Sequence, residues 1–419
     1  MNIFNFFQKV TKNKVFENFV NLSIIQVSNI LLMILIFPVL TRIVGLENFG
    51  QIMVANALAG LLGIFVNYGT VQTSIKEIAT SKDDKNLLSE ILFNIFTIRI
   101  VLFIIVCFAV GFSFVFIKEN YFLYVFALPL VFAEVVNPLF FFLGVENLKT
   151  LNIANLISKI VTLVLIIFLI HDGNDTNWVN FLMGSVLSIT YIITIIWGFR
   201  KYRIKFVMPT HFTQIVILKG NFFLLVNNFA VHLQQSLMLF MLQHWGNAIW
   251  LGAYAICDKL IWSSRLLIIS IFNSLYPSAA KLFEVDHDKW LRFKNKIRWS
   301  TSIVFLAGSL ILFFFPHFII KILVGEGNTL SVTYLREMAF VPFIASLNFM
   351  NVMDRLLHKD NYSIFKIALV ILVISLIASY SFVISREFEI FGYYALFSEI
   401  GALLMYEYYV RKNNTHTVR

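Results

Sequence analysis

Apolar positions in this chain fall into long unbroken runs, with polar positions gathered between them. The pattern is clearest over 18–79, where segments 19–40 and 49–70 are each about as long as the roughly 20 residues that cross a bilayer core. The first carries Gln26, Ser28 and Asn29 and ends near Pro38, and the second carries Gly50, Gly60, Gly63 and Gly69. Small residues let helices approach closely, and polar ones inside a span mark a wet interior face. Continued along the chain, window hydropathy predicts about twelve helical spans. They lie near 19–40, 50–70, 89–117, 121–143, 152–170 and 177–198, then near 216–243, 248–275, 299–324, 331–354, 362–384 and 389–410.

The basic residues sort between the connections. Lysines and arginines crowd one alternating set, from Lys9, Lys12 and Lys14 at the start to Arg411, Lys412 and Arg419 at the end. The other set holds Arg42, Lys118, Lys321 and Arg386. By the positive-inside rule both termini are expected to be cytoplasmic, and the alternation supports an even count of spans. The stretch before residue 18 has no cleavable leader pattern, and the first apolar run reads as a first span.

The charged break Arg200–Lys205 divides the chain into expected lobes 1–205 and 206–419. The halves look related. Asn18-Phe19 is answered by Asn221-Phe222, Gly45 and Gly50 by Gly246 and Gly252, and Lys82-Asp83-Asp84-Lys85 by Asp286-His287-Asp288-Lys289, each at an offset of about 200. Internal repeats are a recurrent signature of secondary transporters. An even number of spans per copy starts both copies on the same side, which makes the repeat parallel.

Composition narrows the class. Of the 419 residues, 59% are hydrophobic and only 13% charged, with 46 phenylalanines, so the chain reads as an all-α, multi-pass integral membrane protein. The mean hydropathy is +0.81. The net charge of +10 does not indicate nucleic acid, because the basic residues lie between spans with no binding motif. Cys107 and Cys257 sit inside apolar runs and imply neither a disulfide framework nor a metal site. No phosphate-binding loop for nucleotide hydrolysis is present, and no cofactor is called for.

Charges inside spans are the candidates for chemistry, since each costs roughly 2.5–3.5 kcal/mol at mid-span. Arg99 and Arg265 lie far from span ends with no acidic residue at helical spacing. Each either faces a water-filled cavity, where its fork suits a pyrophosphate, or pairs with Glu134 or Glu399. Lys159, Lys259 and Arg42 complete the candidate anion-binding set, Lys159 and Lys366 being near enough to a span end to snorkel. Glu134, Glu399 and Asp258 are candidates for ion coupling or for partners of those cations. Arg336-Glu337 reads as interfacial and Asp354 as a surface partner of Arg355. Gln26, Asn29, Asn67, Tyr68, Asn228 and Gln234, with Asn227 and Gln235, either line a polar path or bond helix to helix.

The run Pro38-Val-Leu-Thr-Arg42-Ile-Val-Gly45 followed by Phe49-Gly50 resembles the first-span signature of Wzx-type O-antigen flippases. Ser74-Ile-Lys76-Glu77-Ile78-Ala79, Asn137-Pro138 through Gly144-Val-Glu146, Leu251 through Asp258-Lys259, and Tyr276-Pro277 are similar to later stretches of that family. Leu139 and Leu143 depart from its usual Trp and Gln. The resemblance implies a polysaccharide-transport member of the multidrug/oligosaccharidyl-lipid/polysaccharide exporter superfamily, with two six-helix lobes around a central cavity. The implied activity is translocation of an undecaprenyl-pyrophosphate-linked oligosaccharide from the cytoplasmic to the periplasmic leaflet of a bacterial inner membrane, by ion-coupled antiport. A polymerase and a chain-length regulator are the implied pathway partners. Rival readings are another exporter of the superfamily, for lipid II or for drugs, and a membrane enzyme such as an O-antigen polymerase. Repulsion from a cationic cavity argues against cationic drugs, and short outer connections argue against an enzyme.

Overall fold

In a computed structural model of the chain, residues 35–116, 120–325, 327–358 and 360–414 are described. Gln26, Asn29, Lys9, Lys12, Lys14, Lys118, Lys359, Arg419 and most of the expected span 19–40 lie outside them. The described residues form helices joined by turns. Helix α1 (Leu35–Val44) passes through Gly45, at φ 82°, into α2 (Leu46–Asn67). Then come α3 (Thr70–Ser81), α4 (Lys85–Ser113), α5 (Tyr121–Val125), α6 (Leu128–Val135), α7 (Leu139–Gly144), α8 (Leu148–Leu169) and α9 (Thr176–Tyr202). An extended link leads to α10 (His211–Trp245), α11 (Ala248–Val285), α12 (His287–Phe314), α13 (Pro316–Val324), α14 (Thr329–Met338), α15 (Val341–Leu357), α16 (Asn361–Ser385) and α17 (Tyr393–Asn414).

Nine helical stretches among the described residues are long and apolar enough to cross a membrane. Two further expected crossings are helical but charged: α11 carries Asp258, Lys259 and Arg265, and α17 carries Glu399 and Glu407. Several expected spans are broken rather than straight. The stretch 121–144 is three short helices, interrupted at Phe126–Ala127 and again at Val136–Pro138. Tyr68 and Gly69, at φ 50° and 71°, stop α2 and let α3 restart. Window averages see only total apolarity, so these interruptions left no mark in the hydropathy.

The charged connections act as helix starts. A helix leaves its first N–H groups without partners, and a short acidic or amide side chain accepts from them. Asp84 accepts from the N–H groups of Asn86 and Leu87, at 3.0 and 3.1 Å. Asp286 accepts from Lys289 N–H at 2.9 Å. These two aspartates come from the pair of charged loops that answer one another in sequence. Asn247, Asn328 and Asp360 cap α11, α14 and α16 in the same way.

Two compact units can be separated, Ile52–His232 and, among the described residues, 35–51 with 233–414. In the first, the buried face of α4 serves two apolar clusters. Leu88, Leu92 and Ile95 pack with Ile78 and Phe140–Phe142, while Ile98, Leu102 and Val106 pack with Ala55, Ala59, Val66 and Val131. In the second unit, Ile268, Trp290, Phe305, Ala345, Phe349, Met350 and Met353 form an apolar cluster. There Gly50 and Gly252, the equivalent glycines of the two halves, bring α2 and α11 backbone to backbone. A Cβ on Gly50 would lie 2.7 Å from the Gly252 nitrogen, so neither position has room for a side chain.

Candidate functional site

In the first unit the polar groups collect where helices break. Arg99 falls in line with the apolar stripe of α4, between its two clusters, and is 0% exposed. It therefore does not present its charge to an open, water-filled cavity, and that expectation is corrected. Its Nε and Nη2 donate to the Thr70 hydroxyl at 3.0 and 2.8 Å, and its Nη1 donates to the carbonyls of Glu134 and Asn137 at 3.2 and 3.0 Å. The Thr70 hydroxyl in turn donates to the Asn67 carbonyl at 2.6 Å. The Phe140 ring lies 4.6 Å from the guanidinium carbon.

The cause is local. Pro138 has no N–H, so the carbonyl four residues back, that of Glu134, loses its helical donor. In an apolar span such a carbonyl must find another partner. Arg99 supplies it, and through Thr70 it also reaches the interruption after Asn67. One guanidinium thus ties together two broken helices. The Glu134 side chain bonds to neither the Arg99 fork nor any helix end. Its carboxylate accepts from the Asn67 amide at 3.1 Å and from the Asn137 amide at 3.2 Å. Asn67, Tyr68, Glu134 and Asn137 are all half-buried.

The second unit arranges its charges differently. Arg265 of α11 donates through Nη2 to Glu399 of α17 at 2.5 Å, the structural pairing left open by the sequence. The two side chains are 24% and 9% exposed. On the same helix, Asp258 and Lys259 are half-buried. Gln234 donates to Ser398 at 2.8 Å and its carbonyl accepts from the Tyr394 hydroxyl at 3.1 Å, so it joins α10 to α17. Asn227 and Asn228 in the first unit and Gln235 in the second are half-buried.

The remaining candidates are spread out. Lys159 is half-buried on α8, and Arg42 is exposed. Arg42 donates to the Ile322 carbonyl at 2.9 Å, and Thr41 to that of Leu323 at 2.8 Å. The Thr41-Arg42 pair thus closes the C-terminal end of α13, where carbonyls lack helical partners. Lys366 is exposed and lies over the Tyr362 ring. Glu337 is buried rather than interfacial, accepting from Gly392 N–H at 2.8 Å at the entry to α17. Cys257 is buried and donates to the Ser331 carbonyl. Among the described residues no cluster of three or more His, Cys, Asp or Glu could hold a metal.

One network escaped the sequence reading. Trp290, Lys294 and Arg298, spaced four apart on α12, fall between the expected spans 248–275 and 299–324 but lie inside the second unit. Lys294 pairs with Asp354 at 3.3 Å, and Trp290 Nε1 donates to the same carboxylate at 3.1 Å. Arg298 pairs with Glu407 at 2.5 Å, and Asn351 donates to Glu407 at 3.1 Å. Arg355 bonds to the Tyr409 carbonyl and to Asp360. Asp354 thus pairs with Lys294, not with its neighbour Arg355. The four-residue spacing was the available signal; it puts all three side chains on one helix face.

Among the described residues the fold is all-helical, with nine helical stretches apolar and long enough to cross a membrane and with charged side chains inside each unit. The fold is similar to that of a multidrug-resistance MATE family transporter of the MOP superfamily in its inward-facing conformation. The TM-score is 0.72 at 12% identity, covering 94% of this chain and 95% of that one. An outward-facing MATE transporter structure gives a TM-score of 0.66 at 15% identity, covering 97% and 98%. The chain belongs to the polysaccharide biosynthesis protein family, whose model matches residues 15–283. It is 24% identical over 394 residues to a protein assigned as an O-antigen transporter in Escherichia coli (strain K12), covering 93% of this chain and 92% of that one. A second protein so assigned, from Shigella dysenteriae, is 24% identical over 336 residues, covering 79% and 83%. The resemblance to Wzx-type flippases is borne out, and the chain is a multi-pass transporter of the polysaccharide/lipid-linked flippase class.

Proposed function

We propose that this protein carries undecaprenyl-pyrophosphate-linked oligosaccharide repeat units, of O-antigen or a related surface polysaccharide, from the cytoplasmic to the periplasmic leaflet of a bacterial inner membrane. The observation that carries this reading is the match to O-antigen transporters over nearly the whole chain. Alternating access is the mechanism we propose, supported by a fold whose solved members occur facing inward and facing outward. Both termini are placed in the cytoplasm on the distribution of lysine and arginine.

Within this reading Arg265 is the residue we assign to the lipid pyrophosphate. One N–H of its fork is held by Glu399 and the side chain is a quarter exposed, which leaves donors in a geometry suited to phosphate oxygens. Lys259, on the same helix as Arg265, adds positive charge to that unit. The test is complementation in the protein's own host. Deletion should cause the lipid-linked repeat unit to accumulate in the cytoplasmic leaflet, and wild type should clear it. Arg265→Ala should reach the membrane at wild-type abundance yet fail to clear it, with Arg265→Lys intermediate. Full activity of Arg265→Ala would sink the pyrophosphate assignment. Single repeat units that reach the outside but fail to lengthen would identify a polymerase instead.

A further inference from the structure

The carboxylate of Glu134 is an unusual group to leave at a double helix break. A charge at this depth is costly, and the nearby guanidinium of Arg99 would be its natural partner. Yet Arg99 spends its donors on Thr70 and on the carbonyls of Glu134 and Asn137. The carboxylate is met instead by two neutral amides, Asn67 and Asn137. The Asn137 amide oxygen accepts from Leu139 N–H at 3.1 Å, which fixes that amide with its NH2 toward Glu134. The Asn67 amide oxygen is turned the same way, toward Val71 N–H. Gly63 lets the Glu134 side chain pack close against α2, since a Cβ there would lie 3.0 Å from Glu134 Cγ.

This set of groups selects among ligands. A metal ion needs converging oxygens, but both amide oxygens face backbone N–H groups. A phosphate would meet the carboxylate and be repelled. An organic cation would be drawn to the carboxylate but would meet the amide N–H groups and the Arg99 guanidinium close by, whereas a neutral group that both donates and accepts uses the carboxylate and the amides together. The carboxylate offers lone pairs beyond the amide bonds, and each amide NH2 has a second N–H. Acceptors and donors side by side match vicinal hydroxyls. We infer that Glu134, Asn67 and Asn137 form a hydroxyl-recognising subsite for the sugar portion of the lipid-linked substrate, with Arg99 as the positioning residue that holds the two breaks in register. This rests on the flippase reading above and separates sugar recognition from pyrophosphate binding at Arg265.

The experiment uses the full chain in lipid nanodiscs and two probes, the host's lipid-linked repeat unit and bare undecaprenyl pyrophosphate. Glu134→Gln should weaken binding of the sugar-bearing lipid by about tenfold, the loss expected for one strong polar contact, and leave the bare lipid within about twofold. Asn137→Ala should shift the same probe in the same direction. Binding of the bare lipid shows that each variant is folded. Equal weakening of both probes would overturn the inference and make the cluster scaffolding. Unchanged binding of the sugar-bearing lipid would also overturn it, and would point to ion coupling if transport alone were lost. Failure of wild type to bind either probe would remove the flippase reading and this inference together.

Discussion

Each unit places an arginine close to a glutamate inside its helices, and the two arginines do opposite things. Arg265 faces α17, continuous from Tyr393 to Asn414, and its fork closes on the Glu399 side chain. Arg99 faces two interrupted helices, whose freed carbonyls claim its donors. The difference teaches that the state of the neighbouring backbone decides what a buried guanidinium does. Where the backbone is complete, the cation remains available for side chains and ligands. Where it is broken, the cation becomes part of the backbone's hydrogen bonding.

The largest contrast should appear in stability. Arg99→Ala strips donors from two carbonyls and a hydroxyl inside a closed core, each unsatisfied group costing about 1–3 kcal/mol, so we expect a total loss of about 4 kcal/mol and little folded protein. Arg265→Ala leaves the buried Glu399 carboxylate beside the space vacated by a quarter-exposed guanidinium, which water can enter, and we expect about half that loss. Chemical denaturation of the detergent-purified variants checks both. Similar losses at the two positions would break the comparison.

Conservative replacement sharpens it. Lysine has one point of donation and cannot span Thr70 and two carbonyls, so Arg99→Lys should still lose about 2–3 kcal/mol. Arg265→Lys keeps an ion pair with Glu399 and should lose less than about 1 kcal/mol. A double-mutant cycle reads the partners directly. Arg265 and Glu399 should couple by roughly 1 kcal/mol or more, and Arg99 with the Glu134 side chain by less than that pair, because their charges attract without a direct hydrogen bond.

The smallest effect lies outside both sites. Burial raises the Asp360 carboxyl toward higher pKa, but hydrogen bonds from Ser363 and the Arg355 guanidinium outweigh it and hold the value below the ordinary 3.8. A folded-state value below the unfolded one gives stability that is present above pH 4 or so and lost as pH falls through the folded value. Asp360→Asn should flatten the acid limb of the unfolding curve slightly and leave the Arg99 and Arg265 contrast untouched.

Much of this architecture was legible in the residues. The span pattern, the helix-capping aspartates Asp84 and Asp286, and the answering glycines Gly50 and Gly252 all appear as local signals. Arg265 with Glu399 was one of two open possibilities. Arg99 departs from the expectation because isolation from carboxylates along its own helix does not mean exposure to water. Its alignment with Leu88, Leu92, Ile95, Leu102 and Val106 on one face marked it as buried. The breaks it serves follow from Pro138 and from the Tyr68-Gly69 turn, and backbone partners four residues away from a proline do not register in hydropathy. Lys294 and Asp354 were missed for a related reason. A charge-rich stretch read as a connection, although its four-residue spacing gives an inward stripe.

The most direct measurement is translocation in proteoliposomes containing only this protein and the lipid-linked repeat unit loaded in one leaflet, read by the access of an external glycosidase to the sugar. Wild type should bring protected substrate within reach of the enzyme faster than protein-free vesicles, and Arg265→Ala should fall to the protein-free rate with its fold intact. Wild-type vesicles that expose no more substrate than protein-free ones, while the purified protein remains folded, would contradict the assignment as a flippase.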